Sequence, residues 1–166
     1  RAPSSSTFAQ ADEWDPRNMN SGMGALREKA KLLDTVLDTM DQGLMMIDAA
    51  GVVQICNARA LTLLDLPPAL MRTRPTFEAV RQYQIAQGEF GAACETLRRW
   101  VAARGLERHA HTYERERPNG TVLEIRTVPL PDGGAVRTFT DITARKRAEE
   151  TLQVSETRLA LAQDAG

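Results

Sequence analysis

Residues 135–150 read Ala135-Val-Arg-Thr-Phe-Thr-Asp-Ile-Thr-Ala-Arg-Lys-Arg-Ala-Glu-Glu150, and a change of pattern inside them decides the fold. Ala135–Thr140 is strand-like, whereas Ala144–Glu150 is a charged run of strong helix formers. The hydrophobic period passes from about two residues to about three and a half at Asp141-Ile142-Thr143. A sheet whose last strand runs straight into a helix leaving the domain is a mechanical coupling, which points to a relay before a catalyst. Asp141 stands where its carboxylate can accept from the free N–H groups of the following helix. Two compatible readings stay open for it: a plain cap, and a cap that is also a switch. Arg145 or Arg147 could instead reach Asp141 or the sheet edge.

Working outward, His109–Arg117 and Thr121–Leu130 alternate like strands, with Leu123 and Ile125 opposed to Glu124 and Arg126. Pro118-Asn119-Gly120 and Pro131-Asp-Gly-Gly134 supply tight turns, so the last three strands should form an antiparallel meander. Upstream, Leu44–Ile47 and Val52–Ile55 are strand-like, with a turn at Asp48-Ala-Ala-Gly51. Asn57 is placed to cap a helix running to about Asp65, and Pro67-Pro68 ends it and can start a short one. Two amphipathic stretches follow, at about Thr76–Gln87 and Ala92–Arg104, separated by Gly88 and Gly91. Leu26, Ala30, Leu33, Leu37 and Met40 form a helical stripe before all of this. The order is strand–strand, helices, then three strands, an α+β plan. It divides into a flexible leader (1–23), an N-terminal helix (24–41), a core (42–141) and a C-terminal segment (142–166). In that last segment Ala148, Leu152, Ser155, Leu159 and Ala162 form a short heptad-like seam, weak at Ser155. An isolated helix of that length is marginal in water, so it calls for a partner.

The chain has 166 residues, enough for one domain with helical extensions. Its net charge of -1, with 26% charged residues, offers no basic field for nucleic acid. Cys56 and Cys94 alone do not make a disulfide scaffold, and a reducing, cytoplasmic setting is the expectation. No apolar run approaches the roughly twenty residues of a membrane helix, and none near the start resembles a signal peptide, so no membrane contact is expected within these residues. Residue 1 is Arg, which reads as a piece of a longer or processed protein.

Three passages together resemble the PAS domain, a bacterial sensory module. They are Gly43-Leu-Met-Met-Ile-Asp48 with Val52-Val-Gln-Ile-Cys-Asn57; Tyr113-Glu-Arg-Glu-Arg-Pro-Asn-Gly-Thr-Val-Leu-Glu-Ile-Arg126; and Asp132-Gly-Gly134 through Thr140-Asp-Ile-Thr143 to Arg145-Lys-Arg-Ala-Glu149. The match spans about residues 30–150. It implies a five-stranded antiparallel sheet with helices packed on one face, flanked by N-terminal and C-terminal signalling helices. Leu66-Pro-Pro-Ala-Leu70 and Gln87-Gly-Glu-Phe-Gly91 further resemble a subtype found in sensor kinases and cyclic-di-GMP enzymes. Ser155–Gly166 is similar to the helical lead-in of a next PAS module. The resemblance thus implies a non-enzymatic sensor or relay that passes a conformational signal through Asp141, Ile142 and Thr143. It implies a homodimer through the terminal helices, a small core cavity with or without a small-molecule ligand, and an output domain elsewhere (a histidine kinase, or a diguanylate cyclase or phosphodiesterase). The alternative is a structural dimerisation and spacer module with a filled core and no ligand.

The residues named for the pocket are Met45, Ile47, Asn57, Tyr113, Arg115, Ile125 and Arg126. Met40, Met45 and Met46 are read chiefly as core, with a pliable pocket as the other reading. Arg115 or Arg126 would be a carboxylate clamp in the functional reading. In the plain one, Glu114, Glu116, Glu124, Arg115, Arg117 and Arg126 cover a solvated sheet face. His109 and His111 share a strand face but have no third ligand, so no metal is expected. PAS domains that bind haem carry their histidine in the helical region. Flavin-binding ones have a cysteine after an asparagine, whereas Cys56 precedes Asn57 and reads as a small buried thiol. Haem and flavin are therefore not expected, and the cofactor is unknown. No nucleophile elbow, paired carboxylates or phosphate loop is present, so no catalytic residue is named.

Overall fold

Gly120 and Gly133 take φ of 83° and 96°, in the left-handed region that the two turns of the meander require. Asn119 and Asp132 tighten those turns by accepting from the N–H groups of Thr121 and Gly134 at 3.0 Å each. The computed structural model describes residues 16–90 and 109–165. The predicted amphipathic stretch at 92–104, with Cys94 and Trp100, lies outside them.

The first helix, α1, spans Pro16–Thr39. It begins upstream of the expected start at Gly24 and takes in the end of the supposed leader. Proline suits a first helical turn, and Met23 extends the apolar stripe one step ahead of Leu26. Residues up to Val36 form a unit of their own and the rest, from Leu37, a second. In the first unit Leu26 and Leu33 are 70% and 62% exposed.

The second unit holds β1 (Gly43–Ile47), β2 (Val53–Cys56), α2 (Ala58–Leu64), α3 (Pro68–Arg72) and α4 (Phe77–Ala86). After them come β3 (His111–Glu116), β4 (Val122–Pro129), β5 (Ala135–Asp141) and α5 (Thr143–Asp164). The five strands are ordered β2-β1-β5-β4-β3, every neighbour antiparallel. Pairing from Gly43↔Phe139 to Ile47↔Ala135 sets the first strand beside the last, so β5 is central. Alternation places Met45, Ile47, Leu123, Ile125 and Phe139 on one face, where they pack with Leu63, Leu64 and Val80 from α2 and α4. Gly43 permits the close approach of α2 to β1, since a Cβ there would come within 2.9 Å of the Ala60 Cα. The α+β class and the five-stranded antiparallel sheet agree with the sequence reading. Among the described residues no helix is long and apolar enough to cross a membrane.

Candidate functional site

The strand-to-helix joint is built from three consecutive residues. Ile142 is buried, and its N–H continues the β5–β4 ladder by donating to the Val122 carbonyl at 2.9 Å. Its own carbonyl accepts from Lys146 N–H at 2.9 Å, the first turn of α5. Asp141 stands one residue before the capping position, which Ile142 occupies without a side-chain cap. The Asp141 carboxylate instead closes a short turn, accepting from the Thr143 N–H at 3.0 Å and the Thr143 hydroxyl at 2.6 Å. Those two donors hold its carboxyl below the usual value. Thr143 Oγ1 in turn accepts from the Val122 N–H at 3.0 Å. One hydroxyl therefore joins β4 to the start of α5. Arg145 reaches Glu114 at 3.3 Å and Glu124 at 3.6 Å, and Lys146 also reaches Glu114. These are exposed pairs on the outer side of β3 and β4, and each contributes little.

The second feature is a cleft between the sheet and α4. Met45, Tyr113, Arg115, Ile125, Arg137 and Phe139 line it from the strands; Phe77, Val80, Arg81 and Gln84 line it from α4. It is small, with a free volume of only about 20 Å³. Arg137 is 4% exposed, on the buried face of the central strand between Met45 and Thr127. It donates to the Tyr113 hydroxyl at 3.0 Å and lies over the Phe77 ring at 4.8 Å. Burial pulls its pKa below the usual arginine value.

At the cleft's edge Glu89 collects two arginines. It accepts from Arg115 at 2.7 Å and from Arg117 through both carboxylate oxygens, at 2.7 and 2.8 Å. Arg117 also donates to the Leu63 carbonyl and to Asp65, each at 2.7 Å. The Glu89 bonds push the Arg117 pKa upward. This is a buried network in which Arg117 grips Glu89 in bidentate fashion.

Of the residues named from sequence, Met45, Tyr113, Arg115 and Ile125 meet at the cleft. Ile47 is fully buried in the core. Asn57 has all its hydrogen bonds committed elsewhere: its Oδ1 accepts from Leu44 N–H (2.8 Å) and Ala60 N–H (3.0 Å), and its Nδ2 donates to the carbonyls of Leu37 (2.8 Å) and Gln42 (3.0 Å). Arg126 is exposed on the opposite sheet face, because it is out of phase with Ile125. The solvated-face reading is corrected for Arg115 and Arg117, each 6% exposed. His111 alone of the two histidines lies on β3; its Nδ1 is 3.2 Å from the His109 carbonyl. Cys56 is half-buried, with burial pushing its thiol up to about 11, so it stays protonated at neutral pH. Arg137, Glu89 and Gln84 were not anticipated. The period of two did carry a signal for Arg137, in phase with Ala135 and Phe139; Glu89 stood within the Gln87–Gly91 stretch without a role of its own, and Gln84 carried no signal.

A family model described as the PAS fold matches residues 37–150. Among curated proteins none matches. Similar solved structures include the PAS domain of an HTR-like protein from Haloarcula marismortui, at 14% identity and TM-score 0.49, covering 74% of this chain and 99% of that one. The PAS domain of BvgS from Bordetella pertussis aligns at 17% identity and TM-score 0.49, covering 81% and 98% respectively. A sensory box histidine kinase/response regulator from Burkholderia thailandensis aligns at 15% identity and TM-score 0.45, covering 77% and 97%.

Proposed function

The chain belongs to the PAS-fold family over residues 37–150, and from that premise we propose that it is a non-enzymatic sensor or relay module whose output leaves through Asp141-Ile142-Thr143 into α5. One observation carries the reading. The strand that places Arg137 and Phe139 on the cleft is the strand that ends in the joint. Phe139 and Ile142 are three residues apart, about 10 Å of extended chain. A displacement of β5 that repacks Phe139 therefore acts directly on Ile142, which is buried and bonded to Val122. Residues flanking this module would supply the output, a kinase or a cyclic-di-GMP enzyme. A cytoplasmic homodimer formed through α1 and α5 fits their exposed leucines, Leu26 and Leu33 on one, Leu152 and Leu159 on the other.

The small cleft volume favours a second reading, a dimerisation spacer with a filled core. Hydrogen exchange on a Phe139→Leu variant separates the two. The relay reading expects amides of residues 143–149 to exchange several-fold faster, following the loosened β5. Altered exchange confined to the sheet, with α5 unmoved, would favour the spacer and sink the relay.

A further inference from the structure

Gln84 Nε2, Arg115 Nε and Arg137 Nε are buried nitrogen donors that find no acceptor among the described residues. All three side chains line the cleft between α4 and the sheet. Buried donors are almost always paired, because an unpaired one forfeits the hydrogen bonds it made to water. One such atom is an irregularity; three on one small cleft, all donors, describe a place for a group that only accepts. Beside them the Thr127 hydroxyl, in register with Arg137 on β4, also lacks a partner.

The charges agree. Three buried guanidiniums gather here, and two carboxylates answer them: Glu89 serves Arg115 and Arg117, and Asp65 serves Arg117. Among the described residues no carboxylate pairs with Arg137, whose contacts are the Tyr113 hydroxyl and the rings of Phe77 and Phe139. A buried charge with no counter-ion is among the costliest things a core can hold. Arg115 lies close enough to repel it further.

We infer that this cleft is a receptor for one compact monovalent anion, a halide or a carboxylate of one or two carbons, with Arg137 as its counter-charge and Arg115 and Gln84 as further N–H donors. The single charge follows from the single unmatched guanidinium. The compact size follows from the free volume of about 20 Å³. The aromatic surround of Phe77, Phe90 and Phe139 keeps the local dielectric low and the attraction strong. The inference deepens the sensor reading, on which it rests only for the consequence at α5; the binding event stands on its own geometry. An anion drawn to Arg137 pulls on the middle of the central strand, four residues from Asp141.

The test is thermal denaturation of the 166-residue chain at constant ionic strength. Bulky gluconate is replaced stepwise by chloride, formate, acetate or butyrate. At about ten times its Kd a bound anion should raise the Tm by about 3–6 °C. Chloride alone acting would assign a halide site, and formate or acetate a carboxylate site. Arg137→Met should fold and lose the response, Arg137→Lys should keep a weakened one, and Gln84→Leu should bind several-fold more weakly. If Arg137→Met does not fold, calorimetric titration of Gln84→Leu against wild type carries the test. Four anions indistinguishable from gluconate, a response surviving in Arg137→Met, or butyrate stabilising as strongly as the most effective smaller anion would each overturn the inference. Binding that leaves the exchange of residues 143–149 unchanged would count against the relay and not against the site. Absence of binding would remove the anion and leave the relay open to another ligand.

Discussion

Glu89 shows how much a single buried side chain decides, with 7% of its side chain exposed and two guanidiniums bonded to it. Its removal leaves Arg115 and Arg117 with one exposed carboxylate, Asp65, between them. Glu89→Gln should therefore destabilise by about 3–5 kcal/mol, read as a lower urea midpoint with unchanged slope. The combined replacement Glu89→Leu, Arg115→Met and Arg117→Met should be far milder, because it removes the charges together. Asp141 gives a residue-scale prediction with a sign. Its folded carboxyl sits below its unfolded value, so its stabilising contribution is present above the unfolded pKa and fades as pH falls through the folded one. Thr143→Val removes the largest cause, and an NMR titration should show the Asp141 carboxyl returning toward 3.8; no upward movement would refute this. At this scale the sequence was partly legible. Asn57 was readable as a cap because capping is local, but its bonds to Leu37 and Gln42 span 20 and 15 residues. Arg137 was in phase with Phe139, yet a charged residue on a core face runs against the usual burial order. Glu89 stood inside the Gln87–Gly91 stretch of the resemblance, but only the fold gives it a role, by bringing it to Arg115, 26 residues away.

Elements were the most legible level, since caps, turns and periodicity are short-range. α4 begins beside Thr76, whose hydroxyl caps Ala79, and α2 ends at Asp65 with φ 50°. The exception was the pairing of β1 with β5, which joins residues nearly a hundred positions apart and leaves no local mark. Among the elements α5 stands out: over its 22 residues none is buried, and Leu152 and Leu159 are 61% and 62% exposed. A helix of about 33 Å with open leucines on a heptad spacing needs a partner. Ser155 lies between those leucines on the seam. Ser155→Leu should bury one more leucine per helix, about 1.5–3 kcal/mol each, tightening self-association by about tenfold or more. Sedimentation equilibrium reads this directly; monomers at every concentration for both chains would rule out α5 as a dimer seam.

At the level of the whole chain from Leu37 onward, the antiparallel β1–β5 pair has a consequence for signal direction. Gly43 opposes Phe139, so the segment that arrives from α1 lies beside the segment that departs into α5. Gln42 Nε2 donates to Thr140 Oγ1 at 2.7 Å, a bond across 98 residues. Asn57 ties the same incoming stretch to α2 through Leu37 and Gln42. A disturbance arriving at Gln42 can thus reach Thr140 and the joint without crossing the core, in parallel with the route proposed from the cleft through Arg137 and Phe139. A part-buried side-chain bond of this kind contributes about 0.5–1.5 kcal/mol. A double-mutant cycle of Gln42→Ala and Thr140→Val should return a coupling energy of that size. In the same variants the amide resonances of Ile142 and Lys146 should shift, because Lys146 N–H bonds back to Ile142. Additive stabilities, together with shifts confined to residues 40–44, would mean that the incoming segment is not coupled to the joint. Coupling would instead make the module sensitive to both its own core and whatever precedes it, which is the behaviour a link in a chain of sensors requires.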